Sequence, residues 1–219
     1  MKSNRARRGQ FIIIAVMLTA IMIVSIGALM HSAITYYKHE PWEEYSTLVG
    51  DIEINSRKVV ELSLAMYTNP PKDGSILGYN LVKWQDDLRS AYPSSEISLN
   101  ASSYSLSPSA DSPKPTGSAV FSLNISSIGL KGYTFSVVTY LHLAVVSASS
   151  PYNLTVTVTD NTGQPVKGLG VSSFKINGTA PTVVTPVYES NTLVYKILCH
   201  TNSLSPVEVW DQRGIRAQA

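Results

Sequence analysis

Between Phe11 and Met30 the chain runs FIIIAVMLTAIMIVSIGALM, without a single formal charge. No other stretch restricts the possible folds as strongly. As an α-helix rising about 1.5 Å per residue, such a run extends about 30 Å, the thickness of a bilayer's hydrocarbon core. It is apolar on every face, whereas a helix lying on a soluble core keeps one polar side. A removable secretory signal has a shorter apolar region of about 7 to 15 residues, so the length argues for retention. Lys2, Arg5, Arg7 and Arg8 stand before the run, with no acidic residue among them. The positive-inside rule keeps that basic flank in the cytoplasm and places the chain from about residue 38 onward outside. Tyr36, Tyr37 and Trp42 follow, amphipathic rings of the kind that settle at the outer interface. The expectation is a single-pass protein of the cell membrane, with a cytoplasmic N-terminus and an extracellular C-terminal domain.

The segment RARRGQFIIIAVMLTAIMIVSIGAL resembles the class III signal of archaeal type IV pilin-like proteins, a group that includes the archaeal flagellins. The resemblance implies that Arg8 and Gly9 are recognised by a prepilin-type peptidase and that Gln10 becomes the mature N-terminus. Residues 1–9 would then be a basic leader and 10–37 a transmembrane or assembly helix. Freed of its charges, that helix could pack against copies of itself in a homo-oligomeric filament. If the bond after Gly9 is not cut, the same segment is a permanent anchor.

Beyond the leader, 13 of the 17 basic residues face 15 acidic ones. A nucleic-acid-binding domain carries a basic face, and this slightly acidic body excludes nucleic acid as a partner. Cys199 is the only cysteine, so neither an intrachain disulfide nor a cysteine-built metal cluster is possible. Within LVYKILCH it reads as a small core hydrophobe.

From Glu43 to Asn69 apolar residues recur at helical spacing, with Leu48, Ile52, Val59, Leu62 and Met66 forming a stripe. Glu43 and Glu44 suit the positive end of the helix dipole, and NPPKDG ends the helix. A second helix is expected over Ser75 to Ala91, with Leu77, Leu81, Trp84 and Leu88 on one side. The pair makes an extracellular helical hairpin over 42–92, which either binds a partner as a coiled coil or is an antiparallel pair whose helices cover a sheet or each other. Residues 93–118, rich in Ser and Pro, read as a linker.

From Ala119 the period becomes two. Seven candidate strands follow: AVFSLNIS, YTFSVVTYLHLAVV, NLTVTVTD, VSSFKING, TVVTPVYE, TLVYKILCH and PVEVWD. In Asn153–Thr159, Leu154, Val156 and Val158 face one way, as in a half-buried antiparallel strand. Seven strands with no helix between them imply a β-sandwich over 119–219. Asn153 to Gly178 is similar to the immunoglobulin-like repeats of bacterial and archaeal surface adhesins. Asp160, Gly163, Pro165, Val166, Gly168, Phe174, Asn177 and Gly178 stand at that family's positions. The resemblance implies structural roles only: the glycines make turns, and Val166 and Phe174 enter the core. The ending VEVWDQRGIRAQA reads as a strand, a turn at Gln212–Gly214 and a final strand. The fold class expected is therefore α+β, with an N-terminal apolar helix, a helical hairpin and an immunoglobulin-like antiparallel sandwich.

No catalytic constellation is present. His31, His39, His142 and His200 are scattered, and no HExxH, P-loop, G-x-G-x-x-G after a strand, or G-x-S-x-G occurs. Asp160 beside Asn161 hints at calcium, but that ion needs six to eight oxygens and usually several carboxylates, so a turn is the better reading. Asp86 and Asp87 read as a solvated helix face. No cofactor, metal or enzymatic activity is expected. Asn100, Asn124, Asn153 and Asn177 head Asn-x-Ser/Thr sequons, all on the side expected to be external, and are candidate glycosylation sites. These features point to an archaeal surface protein, a pilin-like subunit used in adhesion or filament assembly. The alternative is an uncleaved membrane-anchored protein whose β-domain binds an envelope or extracellular partner.

Overall fold

The computed structural model describes residues 17–32, 42–107, 109, 111–149, 153–200 and 203–219. The chain divides into two compact units, 1–51 and 52–219. Leader residues Arg8, Gly9 and Gln10, and the stretch Phe11–Val16, lie outside the described residues.

In the first unit, helix α1 is described over 17–32. All its residues are exposed, and its large apolar side chains from Met17 to Met30 are 56–71 % accessible. Among the described residues no helix is long and apolar enough to cross a membrane. Helix α2, Trp42–Thr68, begins in this unit and ends in the second.

The second unit is α+β. Helix α3 spans Ile76–Ala91, and ten antiparallel strands lie in three sheets among the described residues. The first sheet is a meander of β1 (Ile97–Ser107), β2 (Thr116–Ile125) and β3 (Leu130–Tyr140). The second has the order β4-β5-β8-β7, from β4 (His142–Ser149), β5 (Asn153–Thr159), β8 (Thr192–Leu198) and β7 (Val183–Glu189). The third pairs β10 (Arg216–Gln218), β9 (Val207–Trp210) and β6 (Phe174–Ile176).

The expected linker over 93–118 is not a linker. Its first half is β1, paired with β2 from Ile97 opposite Ile125 to Ser107 opposite Thr116. Ile97 and Leu99 alternate inward, but beyond them Ser, Asn and Tyr predominate and only Ala101 and Leu106 are aliphatic, so no apolar period marks the strand. The second half is built in as well. The Ser112 carbonyl accepts from the Gln218 amide at 2.9 Å and that of Pro113 from Leu143 at 2.8 Å. Residues 112–113 thereby join β10 of the third sheet to β4 of the second, and Ser112 is buried.

The apolar stripe expected on α2 is displaced. Ile52, Ser56, Val60, Ser63, Leu64 and Thr68 are buried, whereas Leu62 and Met66 are 57 % and 45 % exposed. The inward face is partly hydroxylic because α3 docks by hydrogen bonds: Trp84 Nε1 donates to Ser56 Oγ at 3.1 Å and Asn80 Nδ2 to Ser63 Oγ at 3.0 Å. Leu77, Leu81 and Leu88 of α3 are buried as the sequence predicts. On the meander, Phe121 stacks on Phe135 at 5.0 Å. At Gly117 a Cβ would come within 3.2 Å of Val60 Cγ1, so the absence of a side chain lets α2 lie close to β2.

The run Tyr133–Val146, expected as one strand, breaks at Leu141. β3 ends at Tyr140 and β4 begins at His142 in a different sheet. Leu141 is fully buried, so the chain crosses between sheets through the core. The second and third sheets share one apolar cluster with Leu64 and Ala65 of α2; it includes Val156, Phe174, Tyr195, Cys199 and Val209. Cys199 is buried there as a small hydrophobe. The Tyr195 hydroxyl donates to the Val166 carbonyl at 2.6 Å, which pins the 160–170 loop over β8 and satisfies a hydroxyl whose burial raises its pKa.

Candidate functional site

The densest polar cluster in the second unit centres on Arg213. The β9–β10 turn closes by a hydrogen bond from the Gly214 amide to the Asp211 carbonyl at 3.0 Å. Asp211 Oδ1 accepts from the amides of Arg213 at 2.9 Å and Ile215 at 3.0 Å. This braced turn projects the guanidinium toward α2, the end of β3 and the loop after β5. Nε donates to Asp211 Oδ2 at 2.7 Å, and Nη2 to the Tyr140 carbonyl at 3.0 Å. Nη1 reaches Thr139 Oγ1 at 3.0 Å, Asn161 Oδ1 at 3.3 Å and Glu61 Oε1 at 3.4 Å. A cleft of about 500 Å³ opens beside it, lined by Glu61, Asp160, Lys167 and Gln212 among others.

This arrangement clamps rather than catalyses. A guanidinium does not release its proton in proteins, and its donors point in fixed directions; here they are committed to protein acceptors. Neighbouring Asp160 is a turn carboxylate. Its Oδ1 accepts from the Thr162 amide at 2.8 Å, Thr162 Oγ1 at 2.6 Å and the Gln164 amide at 3.1 Å. Burial pushes its pKa up, but those donors and the Arg213 charge outweigh burial and hold it below the usual carboxylate value. Asp160 and Asn161 thus serve a turn and an arginine. Among the described residues no three His, Cys, Asp or Glu side chains are grouped to hold a metal.

A second cluster ties the end of α2 to β9 and β10. Asn69 donates to the Gly214 carbonyl at 2.9 Å and accepts from Trp210 Nε1 at 2.9 Å. Thr68 Oγ1 accepts the Arg216 amide at 3.1 Å. The buried Arg216 guanidinium bonds Asp111 and Gln218 and lies 3.4 Å from Glu208. Lys72 meets Asp111 at 2.7 Å. The hydrogen bond from Lys72, helped by the charges of Lys72 and Arg216 and a hydrogen bond from Arg216, holds the Asp111 carboxyl below its ordinary pKa against the opposing effect of burial.

A shallow groove of about 540 Å³ lies over β4, β5, β8 and β7. Ser147, Thr155, Lys196 and Thr185 stand opposite one another across the four strands. Lys196 is paired with Glu189 at 2.7 Å. The lining holds the hydroxyls of Ser147, Ser149, Thr155 and Thr185, the Asn153 amide and aliphatic side chains, and its one amine is that of the paired Lys196, a lining suited to contact with a partner.

The residues singled out from sequence are not brought together. Arg8, Gly9 and Gln10 lie outside the described residues. Asn100 is exposed on β1, and Asn124 is half-buried on β2 with its Oδ1 accepting the Gly132 amide at 2.7 Å. Asn153 opens β5 at the groove, and Asn177 sits in the turn after β6. The Gly163, Gly168 and Gly178 backbones adopt positive φ of 75°, 76° and 73°, Phe174 is buried and Val166 packs against the core. Arg213 and Asn69 were missed. Their signals, an Asp-x-Arg-Gly turn and an Asn before Pro-Pro, mark turns in the sequence but do not disclose distant partners.

No protein-family model, no curated protein and no solved structure matches this chain.

Proposed function

We propose that this chain is a cell-surface structural protein of the type IV pilin-like class. Its apolar helix anchors it in the membrane and, after processing at Gly9, assembles with copies of itself. Its α+β body, with an immunoglobulin-like sandwich, faces the exterior. The observation that carries this reading is α1: its large apolar side chains are at least 56 % exposed on all sides, and it forms most of a charge-free run that follows a basic flank. Such a surface is costly in water and satisfied by lipid or by other apolar helices. The tightly paired ion clusters of the body support a structural rather than catalytic role.

N-terminal sequencing of the mature chain from its native membrane tests this reading. A start at Gln10 is expected, and Gly9→Val is expected to abolish it. A chain that retains Met1 rejects pilin-type processing and leaves the permanently anchored form. A start beyond Ala28 rejects both.

A further inference from the structure

The four sequons differ sharply in what the fold does with them. A transferase must hold the asparagine amide and the hydroxyl two residues later together, away from other partners. In Asn124-Ile125-Ser126 the middle residue is fully buried and the asparagine oxygen binds Gly132. In Asn153-Leu154-Thr155, Leu154 is 2 % exposed and the strand is paired on both sides, with Ser149 and with Leu198. In Asn100-Ala101-Ser102 the strand pairs with β2, and the Ser102 hydroxyl donates to the Val120 carbonyl at 3.3 Å.

Asn177-Gly178-Thr179 is different. All three residues are exposed. Asn177 and Gly178 have φ of 49° and 73°, the paired left-handed geometry of a two-residue type I′ turn, for which Asn-Gly is favoured. The turn closes through reciprocal bonds between Ile176 and Thr179, at 2.8 and 3.0 Å. The Asn177 backbone N–H donates to the Pro206 carbonyl at 2.8 Å. The backbone is therefore fixed, while the asparagine and threonine side chains stand at an exposed tip.

We infer that Asn177 is the acceptor of an N-linked glycan, attached to the folded chain, and that Asn100, Asn124 and Asn153 stay bare. The inference rests on the external placement of the body proposed above. The co-substrate is a sugar activated as a lipid-linked phosphate or diphosphate ester. A bond forms between Asn177 Nδ2 and the anomeric carbon, and the anomeric C–O bond breaks. The phosphate leaves with that electron pair, and Nδ2 gives up one proton. Only an exposed acceptor accommodates so bulky a product.

The test uses the full chain carrying Lys131→Cys, made in a host that N-glycosylates exported proteins. Lys131 is exposed on β3, and the native Cys199 is buried. A membrane-impermeant maleimide on intact cells therefore reports the side on which the body lies. Glycopeptide mass spectrometry reads each sequon. The expected result is maleimide labelling at the introduced thiol, a glycan on the Asn177 peptide alone, and complete loss of the glycan mass both in Asn177→Gln and in Thr179→Ala, which leaves the Asn-Gly pair of the turn in place. A labelled chain that is bare at Asn177, or as heavily modified at Asn100, Asn124 or Asn153, overturns the inference and leaves the topology standing. A chain labelled only after lysis overturns the topology and the inference with it.

Discussion

The helix-covered meander and the two-sheet part of the second unit are held together by different means. In the meander, strands adjacent in sequence are adjacent in space, β1 to β2 to β3. Its helices dock partly through hydroxyls, as Ser56 with Trp84 and Ser63 with Asn80. In the two-sheet part the pairs β4–β5, β7–β8 and β9–β10 are local, but β5 pairs with β8 and β6 with β9, so distant segments must meet before either sheet is complete. The core they share is aliphatic and aromatic, and the charged groups buried beside it, Asp211 and Arg216, are ion-paired. The contrast teaches that local order tolerates a helix contact made through neutral hydroxyls, whereas the non-locally paired part combines an apolar core with buried charges held in pairs. Between them lies the Arg213 clamp, whose acceptors belong to α2, β3, the β5 loop and its own turn.

The largest expected effect breaks each part at its centre. Phe174 is 1 % exposed and lies 5.7 Å from the Tyr195 ring; Phe121 is fully buried against Phe135. Truncation of either to Ala should cost about 3 to 5 kcal/mol, the range for a buried aromatic that leaves a cavity. Because residues 52–219 form one compact unit, either variant should melt in a single transition at lower temperature. Calorimetry showing one domain melting and the other unchanged would mean that the two parts fold independently.

Arg213→Ala sharpens the comparison by removing the clamp while leaving both cores intact. Its side chain is 23 % exposed and the Asp211 side chain 3 %, so Asp211 would lose its charged partner while still accepting two backbone amides. The expected loss is about 2 to 3 kcal/mol, below the range for a fully buried pair because solvent reaches the guanidinium. Hydrogen exchange should show α3 and β1 exchanging before β8 in this variant and together with it in the parent chain. Equal exchange in both proteins would deny Arg213 its coupling role.

The same contrast explains what could be read from the sequence. In β5 the alternation of Leu154, Val156 and Val158 with Asn and Thr was visible because one face is dry and the other wet. Strand β1 was hidden, since after Leu99 its residues are mostly Ser and Asn, and composition alone suggests a linker. The inward face of α2 was misjudged because its docking contacts include Ser56 and Ser63, which an apolar periodicity passes over. The break at Leu141 was invisible for the opposite reason: a residue that crosses between two sheets is as apolar as the strands on either side. For the clusters, charge and turn chemistry were legible at Asp160 and Gly214, but no spacing rule relates Arg213 to Glu61 or Asn69 to Trp210.

The smallest expected effect concerns the second tie between the parts, Asp111 with Lys72 and Arg216. The folded pKa of Asp111 is lowered, chiefly by the Lys72 hydrogen bond. The unfolded chain thus takes up the proton first as pH falls. The stabilisation from this carboxylate is complete above its unfolded value of about 3.9 and disappears as pH falls through the lower folded value. With its side chain 42 % exposed, solvent screening limits the contribution to about 1 kcal/mol or less. Asp111→Asn should therefore lie slightly below the parent chain in urea stability at neutral pH, and the gap should close in the acid range. Raising ionic strength at neutral pH should narrow it too, since much of this tie faces water. A gap that persists at low pH would assign the loss to packing around Ser112 and Gln218 instead of to charge.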